Sequence, residues 1–158
     1  ARLVACPGCY PTAVLLALLP LAKAKVIETS DLIIDAKSGV SGAGRSLKQN
    51  ILFSEAGEGL SPYGIGNHRH VPEIEQELGI ASGASLTINF TPHLAPMSRG
   101  ELCTCYVRMT GKTRAADLRE ALGAAYAGSP FVHVVAEGVT PATQHVRGSN
   151  FCPLSTRR

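Results

Sequence analysis

Ser85-Leu86-Thr87-Ile88-Asn89-Phe90 alternates polar and apolar residues. That is the period of a half-buried strand. Leu102 to Met109 reads as a second strand, and Thr91-Pro92-His93-Leu94-Ala95-Pro96-Met97-Ser98-Arg99-Gly100 as the loop between them. Working outward, Leu32 to Ala36 is a further strand, with short ones at Phe131–Ala136 and Gln144–Val146. Leu3-Val4-Ala5 reads as the end of another. Helices separate these strands. One begins near Pro11, where the missing N–H costs nothing, and runs to Ala24, with Pro20 expected to kink or end it. A second covers Val71 to Leu78, with Pro72 and Glu73 in its first turn and Gly79 at its end. A third is capped by Thr113, runs to about Ala127 and carries Leu118, Leu122, Ala125 and Tyr126 on one face, stopping at Gly128. Leu47 to Phe53 reads as a short helix and Gly57 to Gly66 as irregular. Strands with local helices and few clean βαβ repeats predict an α+β fold with a mostly antiparallel or mixed sheet and flanking helices.

The 158 residues are expected to form one domain, with no internal repeat and no linker. A chain of this length buries roughly 70% of its unfolded surface, so it needs no disulfide or structural metal to fold. At 17% charged residues it is poor in charge for a lone domain, which points to apolar surface covered by something outside the sequence. A net charge of +3 without a Lys/Arg run, and aromatics scattered apart from the basic residues, argue against nucleic acid. The longest apolar run, Ala13 to Ala22, is broken by Pro20 and is too short to span a bilayer. Ala22-Lys23-Ala24 only faintly mimics a signal-peptidase site. Five cysteines, an odd number, read as free intracellular thiols.

Chemistry concentrates around Cys9. It lies just ahead of a helix, where free amides and the positive dipole end favour thiolate over thiol and can receive an oxyanion. A thiolate nucleophile needs a proton partner, and His68 and His70 flank Arg69 at a spacing that puts both on one side of an extended segment. The plainer reading makes Cys9 a small apolar residue and the histidines surface residues. Cys6-Pro7-Gly8-Cys9 is also a C-x-x-C, the spacing of a redox dithiol or half a zinc site. Cys103 and Cys105 share one face of a strand, which suits a core better than a zinc knuckle, and no metal site is expected. Cys152 has no partner in sequence. Ser38-Gly39-Val40-Ser41-Gly42-Ala43-Gly44-Arg45 offers amides, two serines and an arginine to a phosphate or carboxylate, but matches neither a Walker loop nor G-x-G-x-x-G. Arg99 is a second anion-binding candidate, and His93 reads as a polar loop residue.

Taken in order, PGCYPTA (7–13), SGVSGAGR (38–45), HRHVPEI (68–74), TPHLAPMSRGEL (91–102) and GSNFC (148–152) resemble the N-acetyl-gamma-glutamyl-phosphate reductase family. The resemblance spans residues 1 to 152. It implies an enzyme of the aspartate-semialdehyde and glyceraldehyde-phosphate dehydrogenase type, and the C-terminal domain fold of that type. It also implies NADPH-dependent reduction of N-acetyl-gamma-glutamyl phosphate to the semialdehyde, in arginine biosynthesis, through a cysteine thioester.

Position by position, the resemblance makes Cys9 the nucleophile, His70 the acid/base and His68 a substrate contact. Arg45, Arg99 and Ser41 become substrate-binding candidates, and Ser38, Gly39, Ser41 and Gly42 lie near the nicotinamide. It implies a homo-oligomer, dimer or tetramer, in the cytoplasm or an organelle matrix. The sequence also departs from the family. The nucleotide-binding domain that holds most of the NADPH is missing, and residues 1–5 resemble the tail of its last strand. Residues 153–158 do not resemble the family's continuation, a strand and a returning helix. Cys6 stands where the family often has Asn or an apolar residue, which makes C-P-G-C an accident of one position. The expectation is a substrate and dimerisation domain, inactive alone. The competing readings are a thiol–disulfide protein using Cys6 and Cys9, and a non-catalytic dimerisation module.

Overall fold

The computed structural model describes residues 2–157. Its central sheet holds β1 (Leu32–Ser38), β2 (Ser61–Pro62), β3 (Ile88–Leu94) and β4 (Glu101–Tyr106), in the order β2-β3-β1-β4. β1 is parallel to β3 and antiparallel to β4, and β2 is antiparallel to β3. The sheet is therefore mixed, as the α+β pattern predicts. A separate parallel pair joins β5 (Val132–Val134) and β6 (Cys152–Leu154). The α-helices among the described residues are α1 (Cys9–Lys23), α2 (Phe53–Ala56), α3 (Val71–Ser82) and α4 (Ala115–Tyr126). None of them is long and apolar enough to cross a membrane.

Alternation along the strands builds the core. β1 buries Leu32, Ile34, Ala36 and Ser38, and β3 buries Ile88, Phe90, Pro92 and Leu94. Val14, Leu18 and Leu21 of α1, with Ile74 and Leu78 of α3, pack into the same cluster. The other face of the sheet carries Ile33, Asp35, Lys37, Thr104 and Tyr106. There Lys37 pairs with Asp35, and Nδ1 of His93 lies 3.2 Å from Asp35 Oδ1.

Several elements differ from the sequence reading, each for a physical reason. Pro20 neither ends nor breaks α1, which continues to Lys23. A proline at that position cannot donate to the Leu16 carbonyl one turn back. The Tyr126 hydroxyl of α4 donates to it instead, at 2.7 Å. α3 passes through Gly79 and stops at Gly83, which takes the left-handed conformation (φ 73°). β3 starts three residues later than the alternation and runs through Thr91-Pro92-His93-Leu94, read from sequence as loop. Pro92 is tolerated because its nitrogen and carbonyl face the short β2 side, where the carbonyl accepts from Tyr63 N at 3.0 Å.

α4 begins after Arg114 rather than Thr113, because Asp117 reaches back to the Arg114 amide at 2.8 Å. Ala125 is exposed. Leu47 to Phe53 holds only a 3₁₀ turn (Gln49–Ile51) before α2. Thr143–Val146 is likewise a 3₁₀ turn, closed by His145 N on Ala142 O, instead of a strand. Leu3 to Ala5 forms no strand, and Leu3 is exposed. Residues 153–154 belong to β6, with Leu154 buried in the core.

Candidate active site

Two helices begin at one place. The amide of Gly8, just ahead of α1, donates to Oε1 of Glu73 in the first turn of α3 at 3.1 Å. This bond fixes Cys9, the first residue of α1, beside the turn that carries the histidines. His70 immediately precedes α3 and is buried. Its ring fills the space beside Gly8, where an added Cβ would stand 2.5 Å from Nε2. The ring of His68 lies 4.8 Å from that of His70, and its Nδ1 accepts the His70 amide at 3.2 Å. The segment is a turn rather than extended chain, and the two imidazoles still sit together. Tyr10 stands edge-on to both, 5.7 Å from His68 and 6.0 Å from His70, with its hydroxyl 2.9 Å from that of Tyr63.

Burial lowers the pKa of both histidines, helped for His68 by the facing imidazole and for both by the Arg69 charge. Near neutral pH they are therefore proton acceptors. Nδ1 of His70 is buried and without a hydrogen-bond partner.

The Cys9 thiol departs from the sequence expectation. Its pKa is pushed up to about 11 rather than down. Loss of water around the sulfur is the first cause, and the Glu101 carboxylate is the second. The helix-start amides of Cys9 and Tyr10 do act in the expected direction but are outweighed. The thiol is thus stored protonated. That runs against the redox dithiol alternative, which needs an acidic thiol. All five cysteines are free. Cys103 and Cys105 lie half-buried on the core face of β4, as their spacing implies, and burial raises both thiols, Cys105 to about 12.

Glu101 is the site residue that sequence reading passed over. Its signal is the alternation Glu101-x-Cys103-x-Cys105, which sends a carboxylate to the same face as two thiols. Its Oε1 is 3.8 Å from Cys103 Sγ, and burial raises its own pKa.

The Ser38–Arg45 loop is not the amide cradle its composition suggests. Gly39, Val40 and Ser41 donate to the carbonyls of Gly100, Met97 and Ser98 at 2.9 to 3.0 Å, and Gly42 and Gly44 donate within the loop. Ser38 and Gly39 are buried, and a Cβ on Gly39 would meet the Arg99 backbone at 2.8 Å. Ser41, Gly42 and Arg45 are exposed, with open space beside Gly42. The exposed part of this loop has open space beside Gly42, and its amides are already taken by the carbonyls of Gly100, Met97 and Ser98 or by the loop itself. Arg99 lines a groove with Gly100, Thr143, Gln144 and Arg147. His93 lies away from the cluster, its Nδ1 against Asp35 and the Ala36 carbonyl.

Residues 9–158 match the family model described as semialdehyde dehydrogenase, dimerisation domain. The N-acetyl-gamma-glutamyl-phosphate reductase of Rhodospirillum rubrum is 58% identical over 96% of this chain and 43% of its own length. That of Citrifermentans bemidjiense is 56% identical over 98% of the chain and 45% of its length. A probable chloroplastic enzyme of the same name from Arabidopsis thaliana is 54% identical over 98% of the chain and 39% of its length. The chain thus spans less than half of each of these relatives. Among solved structures, a probable aspartate-semialdehyde dehydrogenase from Pseudomonas aeruginosa superposes with a TM-score of 0.71 at 16% identity. It is matched over 97% of this chain and 51% of that one. Aspartate-semialdehyde dehydrogenase II from Vibrio cholerae gives 0.68 at 17% identity, over 92% and 48%. These two likenesses show the fold, that of the C-terminal domain of such dehydrogenases.

Proposed function

The chain belongs to the semialdehyde dehydrogenase dimerisation-domain family, and we propose that it is the substrate and dimerisation domain of an N-acetyl-gamma-glutamyl-phosphate reductase of arginine biosynthesis. The observation that carries this reading is the convergence of Cys9, His70 and His68 at the joined starts of α1 and α3.

Cys9 attacks the acyl carbonyl, the C–O bond to phosphate breaks, and a thioester remains. NADPH, when bound, supplies hydride to the thioester carbon. Neutral His70 and His68 suit the proton transfers at the carbonyl oxygen: buried, uncharged imidazoles accept the hemithioacetal proton in the aldehyde-oxidising direction. His70 takes the acid/base role because its Nε2 abuts the backbone that carries Cys9, and His68 contacts substrate. Arg99 and Arg45 supply positive charge to a substrate with two anionic groups, a carboxylate and an acyl phosphate, beside Ser41. Ser38, Gly39, Ser41 and Gly42 form the edge that the nicotinamide meets, and the rest of the coenzyme is held by a nucleotide-binding domain.

Oligomerisation follows from the family, and a dimer or tetramer uses the sheet face opposite the helices, where Ile33, Leu102 and Tyr106 are 44%, 37% and 55% exposed. The enzyme works in the cytoplasm or in an organelle matrix, the latter in keeping with the chloroplastic relative.

The test is NADPH oxidation driven by the acyl phosphate. The isolated chain is expected to give none. The chain joined to a nucleotide-binding domain of the family is expected to turn over and to lose activity on Cys9→Ser. Turnover by the isolated chain, or by Cys9→Ser, would overturn the reading.

A further inference from the structure

Four rings surround the imidazole of His68. Those of Tyr10, Tyr63 and Phe90 stand 5.7, 5.6 and 5.2 Å from it, and that of His70 stands 4.8 Å away. Gly64, in the left-handed conformation (φ 58°), packs on the Cδ2 edge, where an added Cβ would lie 3.1 Å from that carbon. On the neighbouring edge, Nδ1 accepts the His70 amide at 3.2 Å. Packing thus fixes where the ring sits, and the amide fixes which way it faces.

That amide also fixes the tautomer. A backbone N–H only donates, so Nδ1 of His68 is the unprotonated nitrogen, and the proton of the neutral ring sits on Nε2. Full protonation would aim an N–H at the amide N–H, so the same hydrogen bond keeps the ring uncharged. Burial, His70 and Arg69 act in the same direction. Nε2 of His68 has no hydrogen-bond partner among the described residues, and it is not sealed in as Nδ1 of His70 is. His70 beside it abuts the backbone just ahead of Cys9, so this free donor belongs to the same site. The two imidazoles differ accordingly. His68 has committed its lone pair to an amide, whereas no hydrogen bond holds Nδ1 of His70 to one protonation state.

We propose that His68 is a fixed hydrogen-bond donor, its Nε2–H holding the acyl oxygen of the substrate while negative charge gathers there. This role rests on the reading of Cys9 as nucleophile and deepens it, by naming the group that His68 meets. His68 forms no covalent bond and keeps its proton, and proton transfer stays with His70. A neutral imidazole can polarise a carbonyl in this way. Its contribution is largest when the donor is already in place before charge develops, which is what the surrounding rings and the amide secure.

Two measurements on the complete two-domain enzyme test this. The first reads the tautomer in wild type by nitrogen NMR with labelled histidine, the His68 signal being identified by its loss in His68→Gln. A neutral ring protonated on Nε2 is expected near neutral pH. A proton on Nδ1, or a charged ring, overturns the assignment. The second follows acylation as acyl-phosphate-dependent phosphate release in a single turnover at saturating acyl phosphate. His68→Asn, whose amide stops short of the Nε2 position, is expected to slow it roughly 100- to 1000-fold, the range for one lost oxyanion donor. The loss appears at saturation because the bond tightens only as charge develops. His68→Gln carries an N–H to that position and should recover most of the rate. His70→Gln cannot move a proton and should not. A merely packing role for His68 would give no such rescue at one position alone. Unchanged acylation in His68→Asn, or His68→Gln as slow as His68→Asn, overturns the assignment. If Cys9→Ser is inert in the same assay, the reductase reading survives that failure. If Cys9→Ser acylates normally, the reading itself fails.

Discussion

The imidazole of His70 occupies the space that a side chain on Gly8 would need: a Cβ there would stand 2.5 Å from Nε2 and 2.7 Å from Cδ2. The glycine before Cys9 is therefore a seat for the histidine. Gly8 has φ −64°, which any residue accepts, so backbone freedom is not the reason for a glycine. Gly8→Ala must push the ring away while leaving α1 free to form. We expect kcat/KM of the complete enzyme to fall roughly 100-fold, the usual cost of a 1 Å misplacement of catalytic groups. Circular dichroism should show the helices retained. Full activity in Gly8→Ala would show that the position of His70 does not matter.

The hydroxyl of Tyr126 substitutes for the amide that Pro20 lacks. Tyr126→Phe leaves the Leu16 carbonyl without that donor, at a cost of about 1–2 kcal/mol. For a chain of this size each kcal/mol lowers the melting temperature by about 2–4 °C. Pro20→Ala restores an N–H in the helix ladder and makes the hydroxyl redundant. The two changes should therefore couple, with Tyr126→Phe costing less in the Pro20→Ala background. Equal costs in the two backgrounds, measured by thermal denaturation, would contradict this account of the unbroken helix.

Both site histidines have folded-state pKa values below the unfolded value near 6.5. Below that pH the unfolded chain binds protons that the folded one resists. The stability they contribute is thus present above about pH 6.5 and is lost as pH falls through their lowered values. The raised pKa of Glu101 works in the opposite sense, its contribution being lost as pH rises, so the signal lies in a difference between variants. We expect the urea midpoint of wild type to fall more steeply than that of His68→Gln between pH 6.5 and 5. Parallel curves would mean that His68 titrates as it does in the unfolded chain.

Much of the fold was legible from period and punctuation. The alternation at Ile88–Phe90, the capped run from Val71 and the Leu-rich helix after Cys9 each became the element expected. What failed was set by contacts distant in sequence. Pro20 could not be placed without Tyr126, more than a hundred residues on. Pro92 could not be read as strand without knowing that β2 is short. At the site, the thiol and imidazoles were legible as residue types, and the direction of the Cys9 shift was not. A helix start argues for thiolate, and only the fold brings Glu101 and the loss of water around the sulfur of this otherwise exposed residue to oppose it. The Ser38–Arg45 loop looked like an anion cradle because sequence shows amides but not the carbonyls that consume them.

In the proposed reaction the Cys9 sulfur becomes covalently acylated. The direct measurement is mass spectrometry of the complete enzyme mixed with acyl phosphate in the absence of NADPH. One acyl group is expected on the peptide that begins α1, located at Cys9, removed by hydroxylamine and absent from Cys9→Ser. An adduct on Cys103 or Cys152, or none while phosphate is still released, would contradict it.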